Sequence, residues 1–171
     1  ITDSGTLTIG GNLSATTDAG DGVVNLGTLA VDGTIALATN GTGDALVVND
    51  AGLTFAASAV GQDLTATATT GNIIDNAAVS VGRNLAVTAT ADDGTVNLGT
   101  LEVDGTIALT TNGTNGNVTL VNDVGLAFAA STVDGTLSAT ATTGNMTDSG
   151  ALAISGTSAF ITSANNATIA L

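Results

Sequence analysis

The chain is almost without positive charge. Arg83 is its one basic residue, against 15 acidic residues and no histidine, for a net charge of −14. Nucleic acid is excluded as a partner, because its phosphates need cationic side chains. Docking on an anionic membrane surface is excluded for the same reason. Cysteine is absent, so no disulfide framework exists; a long repetitive core does not need one. That absence fits an exported bacterial protein at least as well as a cytosolic one. The only aromatic residues are Phe55, Phe128 and Phe160. A sugar-binding groove of stacked aromatics has no tryptophan or tyrosine to build it. No apolar run approaches the roughly 20 residues of a membrane span. No signal peptide and no initiator methionine are visible, so the chain is expected to be a piece of a longer or processed protein.

What remains is small and regular. Apolar residues make up 43% of the chain, and they are alanine, valine, leucine and isoleucine in alternation. Disordered chains lack such residues, so an ordered thin core is expected. Glycine occurs 23 times, every few positions, which opposes helix. Period-two alternation bounded by Gly, Asn and Asp reads as short strands.

The strands are organised in repeats. Ile1-Thr2-Asp3-Ser4-Gly5 returns as Ile73-Ile74-Asp75-Asn76-Ala77 and again as Met146-Thr147-Asp148-Ser149-Gly150. Asn25-Leu26-Gly27-Thr28-Leu29 returns at Asn97 to Leu101, and Phe55-Ala56-Ala57-Ser58 at Phe128 to Ser131. The chain is therefore one segment of two full super-repeats, 1–72 and 73–145, and a partial third, 146–171. The second copy is longer than the first by a single residue, which falls near Asn115 to Asn117.

A smaller step lies inside. Val31-Asp32-Gly33-Thr34-Ile35 recurs as Val103-Asp104-Gly105-Thr106-Ile107 and nearly as Val133-Asp134-Gly135-Thr136-Leu137. Looser copies begin at Ile9, Val60, Val81 and Ile154. Each reads as a corner between two strands. The intervals from Val31 to Val60 and from Val103 to Val133 are longer than the other four. Every third unit is therefore expected to carry an insertion, at Asn49 to Ala57 and Asn122 to Ala130. Such units cannot bury an apolar side alone, but stacked units can. The expected fold is all-β: a right-handed parallel β-helix (β-solenoid) of about seven coils of 21–30 residues. One inward ladder is expected through Leu13, Ile35, Leu64, Leu85, Ile107 and Leu137. At about 4.8 Å per turn, seven turns make a rod of about 34 Å.

The phrase Gly71-Asn72-Ile73-Ile74-Asp75 leading to Val79-Ser80-Val81-Gly82-Arg83-Asn84-Leu85 resembles the repeats of filamentous haemagglutinin-like exoproteins. So does Gly144-Asn145-Met146-Thr147-Asp148-Ser149-Gly150-Ala151-Leu152, ending in Gly156-Thr157-Ser158-Ala159-Phe160. These are bacterial adhesins of the two-partner secretion type. The resemblance implies a β-helical shaft, export through an outer-membrane partner, and an extracellular or cell-surface location. The family's secretion domain is not evident. Some adhesins of this kind carry sugar on Asn-x-Ser/Thr sequons. Six sequons occur here, at Asn12, Asn40, Asn112, Asn117, Asn145 and Asn166. Asn40 and Asn112, in matching loops, are the candidates for glycosylation.

Other chemistry is sparse. There is no His, Cys, Lys, Tyr or Trp, and Asp92-Asp93 is the one adjacent acidic pair, so no enzyme is expected. Calcium takes oxygen ligands, and Gly41-Thr42-Gly43-Asp44-Ala45-Leu46 echoes a calcium-binding nonapeptide. Its copy, Gly113-Thr114-Asn115-Gly116-Asn117-Val118, lacks the aspartate, and no cofactor is assigned. Acidic residues are expected to avoid stacking, with Asp104 over Asp134 as the exception. An outward column of Thr16, Thr67, Thr88, Thr110 and Thr140, with Ala38, reads as solvent-facing strand. The expected function is structural: a repeat segment of a secreted surface fibre or adhesin, giving length, stiffness and display. Its partners would be neighbouring repeats and an unidentified host or cell-surface receptor. The alternative is an extracellular filament subunit, identical chains stacking end to end through open strand edges.

Overall fold

A computed structural model of the chain describes residues 1–18 and 20–171. Among them are 21 strands and no helix, arranged as one sheet of eleven strands and one of ten. Strand pairing is parallel throughout. Successive passes alternate between the sheets. Leu7–Ile9 lies in the first, Leu13–Thr16 in the second, Val24–Val31 in the first, Thr34–Ala38 in the second, and so on to Ile169–Ala170. The shortest turns are those that pair Ala45 with Leu64 or Val118 with Leu137, and the longest are those that pair Ile73 with Val96 or Met146 with Ile169. The result is a β-solenoid of about eight turns, roughly 21 residues each.

Alternation in the sequence becomes inside and outside. In Leu64–Ala68 the residues Leu64, Ala66 and Ala68 are buried, while Thr65 and Thr67 face out. The inward residues of both sheets form one continuous core, from Ala15 to Met146. Leucine, isoleucine and valine fill most of it, and Phe55 and Phe128 are its largest members.

The turn count differs from the sequence expectation, and the reason is geometric. The two long intervals, Val31 to Val60 and Val103 to Val133, are not single turns with a loop inserted. The segment Asn49 to Phe55 is itself a corner, stacked on Val31 to Ile35: Asn49 pairs with Leu29, and Phe55 with Ile35. Asn122 and Phe128 stack in the same way on Leu101 and Ile107. Each long interval is one and a half turns. The super-repeat therefore spans seven passes, or three and a half turns, and its copies fall on opposite sheets. Val24–Val31 is in the first sheet and its copy Val96–Val103 in the second; Leu64–Ala68 is in the first and Leu137–Ala141 in the second.

The expected single ladder is accordingly two. Leu13, Ile35 and Phe55 stack in the second sheet. Leu64, Leu85, Ile107 and Phe128 stack in the first. Leu137 returns to the second sheet, over Val118 and Val96. Every member points inward, as expected; only the column assignment changes. Asp104 and Asp134 fall in different columns for the same reason. The threonine column splits too: Thr67, Thr88, Thr110 and Thr132 stack in the first sheet, while Thr16 lies under Ala38 in the second and Thr140 lies over Val121.

Steric contact explains the corner glycine. A Cβ on Gly105 would sit 2.1 Å from the Arg83 carbonyl oxygen of the turn below. At Gly61 it would sit 2.1 Å from the Gly41 oxygen, and at Gly33 2.4 Å from that of Gly11. The turns approach too closely there for any side chain. The corner aspartate has no such constraint: Asp104 is exposed, while Val103 is fully buried.

Gly105→Ala should therefore cost about 1–3 kcal/mol through overpacking. Gly11→Ala, where a Cβ would meet nothing within 4 Å, should be nearly neutral. Urea unfolding of the two variants makes the comparison, and equal midpoints would contradict it. Val103→Asp should unfold its turn, since it buries an unpaired charge, whereas Asp104→Asn should leave the thermal melt almost unchanged.

Candidate functional sites

Many polar side chains at the corners, bulges and loops of this rod bind the next or preceding turn. Asn12 Oδ1 accepts a hydrogen bond from the Thr34 N–H at 2.9 Å, Asn72 from Thr95 at 2.9 Å and Asn117 from Thr136 at 2.8 Å. The opposite corner does the same. Asp44 accepts from the Asp63 N–H at 3.0 Å, Asp63 from Asn84 at 3.1 Å, Asn84 from Thr106 at 3.0 Å and Asn145 from Thr168 at 2.9 Å. Each side chain satisfies a backbone donor one turn later, where the corner has interrupted the sheet. Asp44, the aspartate of the calcium-like phrase, is thus a corner cap, and Asn117 performs its role in the copy. Among the described residues no three acidic side chains gather as metal ligands would.

Asp92-Asp93 is likewise a turn feature. Asp21, Asp93 and Asn166 are super-repeat equivalents, and all three have positive φ, 62°, 60° and 62°. Asp and Asn tolerate that conformation better than other side chains. Asp93 accepts from the Asn115 N–H at 2.9 Å and from its side-chain amide at 3.1 Å. The extra residue of the second super-repeat is in this loop. The Thr39 hydroxyl reaches the Gly43 carbonyl, four residues on; its copy Thr111 reaches Gly116, five residues on.

Two buried asparagines were not anticipated from the sequence. Asn49 is 1% exposed; its amide accepts from the Val31 N–H at 2.9 Å and donates to the carbonyls of Val31 and Gly52 at 3.0 and 2.7 Å. Asn122 does the same with Val103 and Gly125. Each answers a β-bulge. Between Leu26 and Leu29 the chain has one residue more than its neighbour between Val47 and Asn49. The bulged Gly27 and Thr28 donate their N–H groups to Asp3 at 3.2 and 2.7 Å; Gly99 and Thr100 donate to Asp75 at 3.0 and 2.7 Å. The signal was present in the repeated phrase Asn-Leu-Gly-Thr-Leu, where alternation slips by one residue.

The sequon residues Asn40 and Asn112 are exposed, in matching turns on opposite sides. Their amides donate to the carbonyls of Asp18 at 3.2 Å and Thr90 at 2.9 Å. Each is followed by a glycine of positive φ, 63° at Gly41 and 80° at Gly113. Arg83 forms the one ion pair among the described residues, with Nε donating to Asp63 at 2.7 Å and a second contact through Nη2.

This is a parallel β-solenoid built from a repeated unit. Residues 42–92 and 115–171, more than half of the chain, match the family described as repeats of unknown function (DUF5649), and the chain belongs to that family. No curated protein and no solved structure matches it.

Four carboxyls lie below the ordinary aspartate value. Arg83 lowers Asp63, the Thr42 hydroxyl and then its N–H lower Asp21, the Asn115 N–H and then its amide lower Asp93, and the Thr28 hydroxyl and then its N–H lower Asp3. A depressed folded value contributes stability above the unfolded value, and that contribution is lost as pH falls through the folded one. A double variant, Asp21→Asn with Asp93→Asn, should lose less melting temperature than the parent between about pH 5 and about pH 2. Equal losses would refute the assignment. Asn122→Ala should cost about 1–3 kcal/mol, because it strips partners from the buried Val103 groups; chemical denaturation measures it.

Proposed function

We propose that this chain is a structural shaft: a repeat segment of a secreted, cell-surface fibre or adhesin that supplies length, stiffness and display. The observation that carries the reading is the use of polar side chains. Asx residues at corners, bulges and loops join one turn to the next, as in the Asp44, Asp63, Asn84 and Thr106 series. A continuous core with such stitching resists bending and adds length in fixed increments. At about 4.8 Å per turn, two super-repeats add seven turns, or about 34 Å. The haemagglutinin-like phrases favour an extracellular location, and the negative charge favours solubility of an exposed rod. In this reading the neighbours of the segment are further turns of the same kind, in the same chain or in an identical one end to end. Asn40 and Asn112 are the positions for attached sugar.

Surface proteolysis of intact cells followed by electron microscopy of the shed protein tests the proposal. A thin fibre that shortens by about 34 Å when two super-repeats are deleted is the expected result. Protection of the protein inside the cell, or a length indifferent to repeat number, would sink it.

A further inference from the structure

The bulges leave clefts. One is lined by Thr6, Gly27, Leu29, Val48, Asp50 and Thr69, with a volume of about 250 Å³. The other is lined by Gly99, Leu101, Glu102, Val121, Asp123 and Thr142, with a volume of about 290 Å³. They are the same cleft in successive super-repeats: Gly27 corresponds to Gly99, Val48 to Val121, Asp50 to Asp123 and Thr69 to Thr142. One opens on the first sheet and the other on the second.

Three features of this cleft are not needed by the fold. The first is its glycine. A Cβ on Gly27 would meet nothing nearer than Leu46 Cδ2 at 3.9 Å, and on Gly99 nothing nearer than Asp75 Oδ1 at 4.0 Å. Neither has positive φ. The glycine recurs although neither space nor backbone demands it, and it keeps the floor open. The second is an outward-facing valine, Val48 or Val121, half-buried beside that floor. The third is the exposed carboxylate of Asp50 or Asp123 at the rim. Corner and loop aspartates such as Asp44, Asp63 and Asp93 accept hydrogen bonds from a neighbouring turn. For Asp50 and Asp123 the backbone carbonyls serve the fold, accepting from Thr70 and Thr143 at 2.7 Å.

We propose that each bulge cleft takes one lysine or arginine side chain of a basic protein partner. The alkyl stem lies on the glycine and valine, and the cationic head meets the rim carboxylate. The clefts are smaller than the roughly 300–1,000 Å³ that encloses a drug-sized ligand, so a single side chain is the fitting occupant. The chain has almost no cation of its own to fill them, and its charge of −14 draws a basic partner in. The second cleft is the stronger, because Glu102 adds a carboxylate where the first has Ala30. This site does not depend on the shaft reading.

A tetralysine peptide titrated into the isotope-labelled 171-residue chain, followed by amide chemical shifts, tests the proposal. Shifts should concentrate at Gly99, Thr100 and Val121, and more weakly at Gly27, Thr28 and Val48. Gly99→Val fills the floor at unchanged net charge, and Asp123→Asn removes the rim charge. Each should weaken the second cleft about tenfold while leaving the first unchanged. Asp18→Asn, a charge-matched control in a distant loop, should not. A thermal melt confirms that each variant is folded. If Gly99→Val proves unfolded, Asp123→Asn and Glu102→Gln carry the test. Shifts spread evenly over all aspartates, or unaltered in the folded variants, would overturn the site and leave only diffuse attraction to a negative rod.

Discussion

Parallel hydrogen bonding between successive turns, each of roughly 21 residues, is the constraint from which the rest follows. A turn of a solenoid has no hydrophobic interior of its own, so each strand must find its copy above and below in register. Register fixes which residues face in, because a slip of one residue turns the whole inward set outward. The chain guards the register at its corners. There the turns approach so closely that Gly33, Gly61 and Gly105 admit no Cβ. From the turn before, Asn12, Asp44 and Asn84 reach forward and take the N–H groups of Thr34, Asp63 and Thr106, which the corner has removed from the sheet. The glycine sets the distance and the Asx closes the gap.

Most of this was legible in the sequence. Period-two alternation gave strands, and the return of whole phrases from 1 to 73 to 146 gave a stacked solenoid. The inward residues were identified correctly because strand alternation is local. Column membership was not, because it depends on how many residues each turn consumes. Val31-Asp32-Gly33-Thr34-Ile35 and Val60-Gly61-Gln62-Asp63-Leu64 look alike, yet they lie on opposite corners. The missing corner between them, Asn49 to Phe55, looks different: a buried asparagine replaces the branched apolar residue, and a phenylalanine replaces the isoleucine. It performs the same geometric task with other side chains. Pattern matching on one corner type passes over it and reads an insertion.

The polar residues were harder to place for a related reason. Asn49 and Asn122 sit between a valine and an aspartate and look like strand ends. Their purpose appears only with the bulged strands they answer, whose Val31 and Val103 they bind from one turn away. Asp3 and Asp75 are similar: each serves a pair of N–H groups on the following turn. A residue whose partner is one turn away carries no short-range signature. What the sequence does show is that these residues return together at the super-repeat step.

The half-integral pitch also accounts for the place of the one cation. With seven passes per super-repeat, an acidic residue and its copy come out on opposite sides, so Asp3 and Asp75 do not stack. The arrangement disperses negative charge that would otherwise build columns of like sign. Asp44 and Asp63 depart from it, because they occupy equivalent corners of consecutive turns and the Asp63 N–H rests on the Asp44 carboxylate. Arg83 lies on the next turn and pairs with Asp63. In the following super-repeat the same two corners hold Asn117 and Thr136, and the position of Arg83 is taken by Gly156. At this corner the cation accompanies two stacked carboxylates, and the copy has neither. Its place is set by the repulsion it offsets, and the neutral pair in the copy shows the alternative solution to the same electrostatic problem.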